Sequence, residues 1–413
     1  MYFKCTLIKL LYFSCQYLVS FILSKKKLFM QILWLASWYP NPYEPVNGDF
    51  IQRHALAVSK LVPVDVIHVV QIGKDFRTKE GYIHNKEDNF RELIYSFSFR
   101  KWGIGFIDKI RYNIKYRFFY RDLLFKYASQ YGIPQLIHVH IPLKAGLVAR
   151  EMCDHWHIPY IVSEQASYYE MSAKDNFFKR SWFFKHNTAK VFRDAKMITN
   201  VSATIGKTIQ QLFHLKKVET IHNLVDTQYF NYQASKNEIF TWIHASTLGH
   251  QKNPEGMIEA FEQLNQVNSN WQLKIVGPVT DSLKKLVEQK GLINKIIFIG
   301  EVPYKEVAVH MQSADAFVLF SRHENFPCVI AEALCCGLPI VSSHVGGIAE
   351  AVNIENGILV ENENIQALAN ALIKMMSENK NYDRSSISQK AIELYNMETI
   401  AEQFVDVYKN ILH

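Results

Sequence analysis

The chain has 413 residues, of which 48% are apolar and 21% charged, and this composition excludes a disordered or fibrous protein. A domain typically takes about 150 residues, so the length predicts two or three domains. The six cysteines form no Cys-x-x-Cys pair, which argues against zinc modules and disulfide scaffolds and favours a reducing compartment.

The formal net charge of +7 is distributed unevenly along the chain. Residues 1–220 hold 32 Lys and Arg against 17 Asp and Glu, whereas residues 221–413 hold 14 against 22. A basic half joined to an acidic half indicates two domains with different partners. Since no nucleic-acid-binding motif is present, we expect no nucleic-acid partner, and an anionic membrane surface is favoured for the basic half.

Residues 1–29 form an apolar leader that contains no acidic residue and ends close to three consecutive lysines at 25–27. The apolar run over 5–23 is just long enough for a membrane anchor, and the lysines after it predict a cytoplasmic main body. Alternatively, translation starts at Met30, directly before an apolar strand. A cleaved signal peptide is a third interpretation, disfavoured because no small-residue cleavage site follows the run.

From residue 30 onward, short apolar strands alternate with helix-length amphipathic segments. This alternation predicts an α/β fold with parallel sheets and right-handed crossovers. Strands are expected at 31–36, 64–70, 135–140, 159–163 and 197–201, and then at 240–245, 272–277, 296–299, 315–319 and 339–342. The two series predict two Rossmann-like domains that face each other across a cleft, each a parallel sheet with helices on both faces. Their predicted bounds are 30–221 and 238–395, joined by a polar linker at 222–237.

The densest functional signal is the segment 317–352, which predicts a strand, a polar loop and a helix that begins near Pro327 with Asn325 as its N-cap. Exposed amides at a helix start suit a phosphate. Glu324 precedes this helix, and Glu332 lies about a turn and a half inside it. Carboxylates bind neighbouring hydroxyls through charge-assisted hydrogen bonds. The pattern therefore predicts that one glutamate binds a ribose and the other binds a hexose, with a diphosphate bound between them.

This segment resembles the Glu-x7-Glu signature of the retaining glycosyltransferases of family 4 (glycosyl transferases group 1), and the resemblance covers about residues 30–412. It implies the GT-B fold of two facing Rossmann-like domains. It also implies that a hexose moves from a UDP- or GDP-sugar to a hydroxyl of a glycan or lipid-linked acceptor. In that family the first glutamate, here Glu324, contacts the donor hexose as a catalytic residue, and the second, Glu332, contacts the ribose. Further donor contacts are implied for Asn325, Phe326 and Pro327.

The resemblance also assigns the basic side of the donor site. Lys252, just before a predicted helix, matches a catalytic lysine that contacts the donor phosphates. Thr247 stands where the family has an arginine, and a hydroxyl supplies no charge. Lys252 therefore carries the charge alone or is joined by another cation, for which Arg322 is a candidate. Val302 is expected near the base, and Gly48 is expected to let the backbone approach the diphosphate.

The first domain is expected to bind the acceptor, and a helix over 396–413 is expected to cross back onto it, as in relatives. Gln165 stands where many relatives have a histidine, so no acid–base residue is assigned, because an amide does not titrate usefully. His140 is a candidate cleft-lining residue. The sequence has no Asp-x-Asp, so we expect neither a metal nor another cofactor.

The basic stretches at 98–127 and 176–196 are interleaved with aromatic residues and predict either membrane-binding helices or solvated faces of helices that pack on the core. Together these features predict a cytoplasmic enzyme at the inner face of the plasma membrane, acting in the synthesis of polysaccharide, lipopolysaccharide or glycolipid. The alternatives are a non-catalytic nucleotide-sugar-binding or membrane scaffold protein and a nucleotide-sugar epimerase on the same fold.

Overall fold

A computed structural model describes residues 30–72, 81–87, 89–234 and 237–413. The apolar leader predicted over 1–29 lies outside the described residues. Each of the ten expected strands is present, and the structure confirms the α/β class with two sheets, one in each half of the chain.

The first sheet has the strand order β3-β4-β2-β1-β5-β6-β7-β8. Its strands are β1 (Ile32–Ala36), β2 (Val64–Ile72), β3 (Gly81–Glu87), β4 (Phe90–Ser98), β5 (Leu136–His140), β6 (Tyr160–Glu164), β7 (Met197–Asn200) and β8 (Glu219–Thr220). The α-helices between them are α1 (Asp49–Ser59), α2 (Gly105–Tyr131), α3 (Ala145–Trp156), α4 (Trp182–Asp194) and α5 (Ala203–Phe213), and a 3-10 helix spans Phe177–Lys179.

The first sheet is parallel, as predicted, except at one edge strand. Strand β3 pairs with β4 in antiparallel orientation, while β4 pairs with β2 in parallel. Only two residues separate β3 from β4, and a connection that short joins antiparallel strands, whereas parallel strands need a long crossover.

The second sheet has six parallel strands in the order β11-β10-β9-β12-β13-β14. They are β9 (Phe240–Ala245), β10 (Trp271–Val276), β11 (Ile296–Gly300), β12 (Ala316–Leu319), β13 (Ile340–Ser343) and β14 (Gly357–Val360). Its helices are α6 (Pro254–Val267), α7 (Asp281–Gln289), α8 (Tyr304–Gln312), α9 (Cys328–Cys335), α10 (Ile348–Ala351), α11 (Ile365–Glu378) and α12 (Arg384–Tyr395), followed by α13 (Met397–Leu412). Two 3-10 helices span His250–Lys252 and Asn379–Asn381.

The central strands of both sheets are buried on both faces, which explains why they are almost continuously apolar. In β1, for example, Leu33 faces one core cluster and Trp34 faces the other. The second of these clusters is completed by α13 from the end of the chain, through Phe404 and Tyr408.

The chain passes between the sheets twice, and the two passages run side by side. The backbone N–H of Val225 donates to the carbonyl of Tyr395 at 2.8 Å. Asn396 then caps α13 by accepting a hydrogen bond from the Thr399 N–H at 2.9 Å. Helix α13 therefore packs on the first sheet, against α1, although it follows the second sheet in sequence.

Candidate active site

The two loops with the strongest sequence signals follow neighbouring strands. Strands β9 and β12 are adjacent in the second sheet, and the strand order reverses between them. In open parallel sheets ligands bind outside the carboxyl ends of the strands at this reversal. The loop after β9 carries Thr247 and Lys252, and the loop after β12 carries Glu324.

Lys252 and Glu324 form an ion pair between these two loops. Their side chains are 14% and 6% exposed, so the pair is largely shielded from water. The Ser321 hydroxyl donates to the same Glu324 oxygen, Oε1, at 2.7 Å, and Gln251 Nε2 donates to Oε2 at 3.3 Å. Both oxygens of Glu324 are therefore held, which fixes the orientation of the carboxylate.

A buried histidine holds the loop after β9 in place. His244 donates from Nδ1 to the carbonyl of Val318 at 2.9 Å, and its Nε2 accepts from the Ser246 hydroxyl at 2.7 Å. The same hydroxyl oxygen accepts the N–H of Leu248 at 3.0 Å. Burial lowers the pKa of His244 to about 4, so the ring is neutral at physiological pH, as this hydrogen-bond chain requires. Thr247, within this loop, is exposed.

The prediction that Asn325 caps the helix after β12 is wrong, because α9 has Pro327 as its N-cap residue and no side-chain cap. Asn325 lies two residues earlier, too far back for its short side chain to reach the first turn. Its Oδ1 instead accepts from the Ser202 hydroxyl of the first domain at 2.7 Å. The backbone carbonyl of Asn325 accepts the N–H of Gly347 at 2.7 Å. Asn325 therefore ties the site loop to the first domain.

Phe326 is buried at the same junction. Its ring lies 4.5 Å from that of His222, and its carbonyl accepts a hydrogen bond from Asn223 Nδ2 at 2.9 Å. Both partners belong to the predicted linker, so Phe326 fixes the site loop against the segment that joins the two sheets.

Glu332 is buried inside α9 and faces the first domain. Its Oε1 accepts from the Tyr304 hydroxyl at 2.9 Å, and the guanidinium of Arg53, on α1, lies 4.4 Å from the centre of the Tyr304 ring. Burial raises the pKa of Glu332, while the charge of Arg53 and the Tyr304 hydrogen bond oppose that rise. Residues from both domains therefore meet around this carboxyl.

Two predicted donor contacts lie in neighbouring loops. Gly48 is the N-cap residue of α1 and has φ of 73°, and a Cβ there would lie 2.8 Å from the backbone carbon of Trp38. Val302 is partly buried in the loop between β11 and α8, two residues before Tyr304.

The two predicted acceptor-side residues occupy different depths. Gln165 follows β6, and its Nε2 lies 3.5 Å from Nδ1 of His54 on α1. His140 is fully buried and stacks on Trp34 with 4.0 Å between the ring centres. Burial holds the pKa of His140 well below its usual value, so its ring is neutral. His140 thus lies in the core behind Gln165 and does not face solvent.

Arg322, the candidate second cation, is engaged by other groups. Its Nε donates to Glu363 Oε1 at 2.8 Å, and its Nη1 donates to the carbonyl of His250 at 2.6 Å. Across the described ranges, no group of three or more His, Cys, Asp and Glu side chains is arranged to hold a metal ion.

The structure adds three residues that the sequence analysis missed. Arg53 and Glu170 reach the site from the first domain, and Tyr304 lines it from the second. Burial raises the pKa of Glu170 to about 7, with the charge of Glu324 adding to the effect and Ser172 opposing it. The sequence could have identified Arg53 by its position, because it lies about one turn after the start of α1, the helix that follows Gly48. Glu170 stands in an aperiodic loop and gave no signal.

Comparison with known proteins identifies both halves of the chain. Residues 81–229 match the family described as Glycosyltransferase Family 4, and residues 226–393 match the one described as Glycosyl transferases group 1. The putative teichuronic acid biosynthesis glycosyltransferase TuaC of Bacillus subtilis (strain 168) is 25% identical over 404 residues, which cover 92% of this chain and 96% of that protein.

Solved structures share the whole fold. Sucrose-phosphate synthase from Thermosynechococcus elongatus superposes with a TM-score of 0.76 at 18% identity, covering 92% of this chain and 98% of that one. The Anabaena protein Alr3699/HepE in complex with UDP gives a TM-score of 0.67 at 17% identity, covering 92% and 100%. The chain therefore belongs to the glycosyltransferases, with a family 4 domain followed by a group 1 domain in the GT-B arrangement.

Proposed function

We propose that this glycosyltransferase is a metal-independent retaining hexosyltransferase. It moves a hexose from a UDP- or GDP-sugar to a hydroxyl of a glycan or lipid-linked acceptor in cell-surface polysaccharide or glycolipid synthesis. The observation that carries the proposal is the placement of two buried glutamates on either side of the start of α9, with Lys252 paired to the first.

Each group has a role that its chemistry permits. Glu324 binds hydroxyls of the donor hexose, and Glu332 binds the ribose. Carboxylates held by several donors keep their orientation, and the hydrogen bonds that they accept from sugar hydroxyls are among the stronger ones. The diphosphate lies at the start of α9, where backbone N–H groups and the helix dipole favour an anion. We assign the backbone of Asn325, Phe326 and Pro327 to the same donor.

Lys252 stabilises the leaving diphosphate. Negative charge develops on the bridging oxygen as the glycosidic bond breaks, and a fixed cation nearby lowers the energy of that transition state. When the donor phosphates arrive, the ammonium group is shared between them and Glu324. A cation and a helix start together supply the positive charge that a metal ion supplies in other transferases, which supports the metal-independent part of the proposal.

In a retaining front-face reaction the leaving phosphate oxygen takes the proton from the acceptor hydroxyl. Such a route needs no protein base, in accord with the neutral amide of Gln165. The acceptor then binds on the first-domain side of the donor, and Gln165 orients it.

Donor binding by isothermal titration calorimetry tests the proposal. We expect one class of nucleotide-sugar, uridine- or guanosine-based, to bind the wild type. Glu332→Gln should weaken binding about tenfold or more, because a hydrogen bond to a charged group is worth roughly 1.5–3 kcal/mol. The matched control is Glu402→Gln, on the exposed face of α13. No binding of any nucleotide-sugar by folded wild type, or equal affinity for Glu332→Gln, would contradict the proposal.

We further propose that the acceptor is reached at an anionic membrane. Helix α2 is apolar on two sides: Tyr120 and Leu124 face the core, while another stripe faces solvent. The exposed stripe consists of Phe106, Ile110, Ile114, Phe118 and Phe125. Phe106 and Phe118 are 75% and 67% exposed. Because the buried side already supplies the packing of the helix, the second stripe requires another explanation.

The surroundings of this stripe fit a lipid surface. Arg111, on α2, stacks on the exposed ring of Trp102 at 3.4 Å. Elsewhere in the same domain, Trp182 and Phe183 are exposed at the start of α4. Cationic and aromatic side chains beside an apolar stripe favour the interface of an anionic bilayer. No helix in the described part of the chain has the length and apolarity needed to cross a bilayer.

Flotation with vesicles tests this surface. The wild type should float with phosphatidylglycerol-containing vesicles at low salt and less with pure phosphatidylcholine. Phe118→Glu should abolish flotation, whereas Ile354→Glu, at a still more exposed apolar position of the second domain, should not. Unchanged flotation of Phe118→Glu would reject α2 as the membrane-binding surface.

A further inference from the structure

The site around α9 contains more carboxylates than cations. Glu324, Glu332 and Asp49 face it, and the charge of Lys252 is already taken up by its ion pair with Glu324. An anionic ligand at this point therefore needs a second positive group. Thr247, on the loop after β9, supplies none.

Arg53 is the cation that the structure brings to this place from the first domain. Its side chain is 15% exposed, and its Nη1 donates to Asp49 at 2.9 Å. Its guanidinium lies over the ring of Tyr304, in the second domain, at 4.4 Å. Its Nε–H is buried and meets no hydrogen-bond acceptor among the described residues. Arg53 therefore crosses between the domains and keeps an unused donor.

The start of α9 lies close to both cations. Cys328 is the first residue of that helix, and both Arg53 and Lys252 act electrostatically on its thiol. An anion at the helix start would thus be approached by Lys252 from the loop after β9 and by Arg53 from α1. A planar guanidinium with several donors matches a phosphate group better than an ammonium does.

We propose that Arg53 is a diphosphate-binding residue, supplied by the first domain in place of the charge that Thr247 lacks. This inference rests on the proposed function, because it needs a nucleotide diphosphate at the start of α9. It adds that the donor's phosphates are fully neutralised only when the first domain lies against the second. Donor binding and the approach of the two domains are then coupled through one side chain.

The test compares three ligands that differ in phosphate number. Affinities for UDP, UMP and uridine, or for the guanosine series if wild type prefers it, are measured by calorimetry on the full chain. In Arg53→Gln the affinity for the diphosphate should fall at least about tenfold, as expected for a lost charge-assisted contact. The affinity for the nucleoside should stay within about twofold. Lys60→Gln, at the other end of α1, is the matched control and should behave like wild type.

A variant that returns the lost positive charge provides a second test. Adding Thr247→Arg to Arg53→Gln should restore diphosphate affinity, since it returns a cation to the loop after β9. Arg53→Lys should give an intermediate diphosphate affinity, and this variant serves if Arg53→Gln lowers the unfolding midpoint. Equal losses for UDP and uridine would show a structural role and overturn the inference, as would unchanged diphosphate affinity in Arg53→Gln. If wild type binds no nucleotide at all, the proposed function itself fails.

Discussion

The ionisation of Glu170, a residue of the first domain, depends on the groups that pack around its carboxyl. The carboxyl lies beside Gly346, where a Cβ would come within 2.8 Å of Glu170 Oε1 and 1.8 Å of the Glu324 carbonyl oxygen. The first-domain loop that carries Glu170 therefore packs closely against the loops after β12 and β13. Burial next to another carboxylate makes the charged form of Glu170 costly.

Stability should therefore depend on pH through Glu170. Its pKa is raised from 4.5 to about 7, so between these values the folded state binds a proton that the unfolded state has released, and stability falls as pH rises. The variant Glu170→Gln has no carboxyl to ionise at this position, so its stability does not fall in this way as pH rises. Relative to wild type, its free energy of unfolding should rise by on the order of 1 kcal/mol from about pH 4.5 to about pH 7.5, allowing for solvent screening.

Urea denaturation of both proteins across this range measures the difference, with Glu402→Gln as the exposed control. A constant difference between wild type and Glu170→Gln at all pH values would contradict the assignment.

Gly48 is constrained by both its backbone angle and its neighbours. With φ of 73° and the backbone of Trp38 within 3 Å of any added Cβ, Gly48→Ala should lose about 2 kcal/mol of stability. Gly105→Ala, at the first residue of α2, meets no atom within 4 Å and should be neutral or slightly stabilising. Chemical denaturation of the two variants compares them directly, and equal stability would contradict the constraint on Gly48.

At the scale of elements, the carboxylate of Glu350 on α10 caps helix α5 of the other domain. It accepts from the N–H groups of Ala203 and Thr204, both at 2.8 Å, and from the Thr204 hydroxyl at 2.7 Å. The carboxylate thus accepts hydrogen bonds from two N–H groups that have no partner within the helix. Its negative charge also interacts favourably with the positive end of the helix dipole.

Glu350→Ala should accelerate amide hydrogen exchange at the start of α5 about fivefold, as the loss of a cap worth roughly 1 kcal/mol implies. Glu355→Ala, which removes a partner of Lys390 within the second domain, is the control and should leave α5 unchanged. Unchanged exchange in Glu350→Ala would mean that the cap contributes nothing to holding the domains together.

Ten of the fourteen strands in the described residues were predictable, because buried parallel strands are nearly continuous apolar runs. The β3–β4 hairpin was not predicted, because β3 is largely polar and Arg91 and Glu92 interrupt the apolar residues of β4. Strands β8 and β14 were also not predicted. At the site, the sequence pattern predicted that Glu324 lies in the loop before a helix and that Glu332 lies inside this helix, and the structure shows this arrangement at α9. The contacts of Arg53 and Glu170 depend on how two domains meet, which no local pattern encodes. Asn325 was misassigned for the same reason, since its partner Ser202 lies 123 positions away.

At the scale of the molecule, the end of the chain completes the first domain. Phe404 on α13 is 2% exposed and lies 5.4 Å from the His54 ring and 6.1 Å from Trp34. Phe404→Ala should cost about 3–5 kcal/mol and lower hydrogen-exchange protection in β1 and β5 of the first sheet. Phe261→Ala, in the core of the second domain, should act on the second sheet instead. If Phe404→Ala affected only the second sheet, α13 would not belong to the first core.

The most direct test of retaining transfer is the anomeric configuration of the sugar released when water replaces the acceptor. An α-linked nucleotide-sugar that binds the wild type is incubated with it and followed by NMR from the first minutes. We expect the α anomer to appear first, and Glu324→Gln to reduce release at least about hundredfold while nucleotide binding persists. First appearance of the β anomer, or undiminished release by Glu324→Gln, would contradict the account.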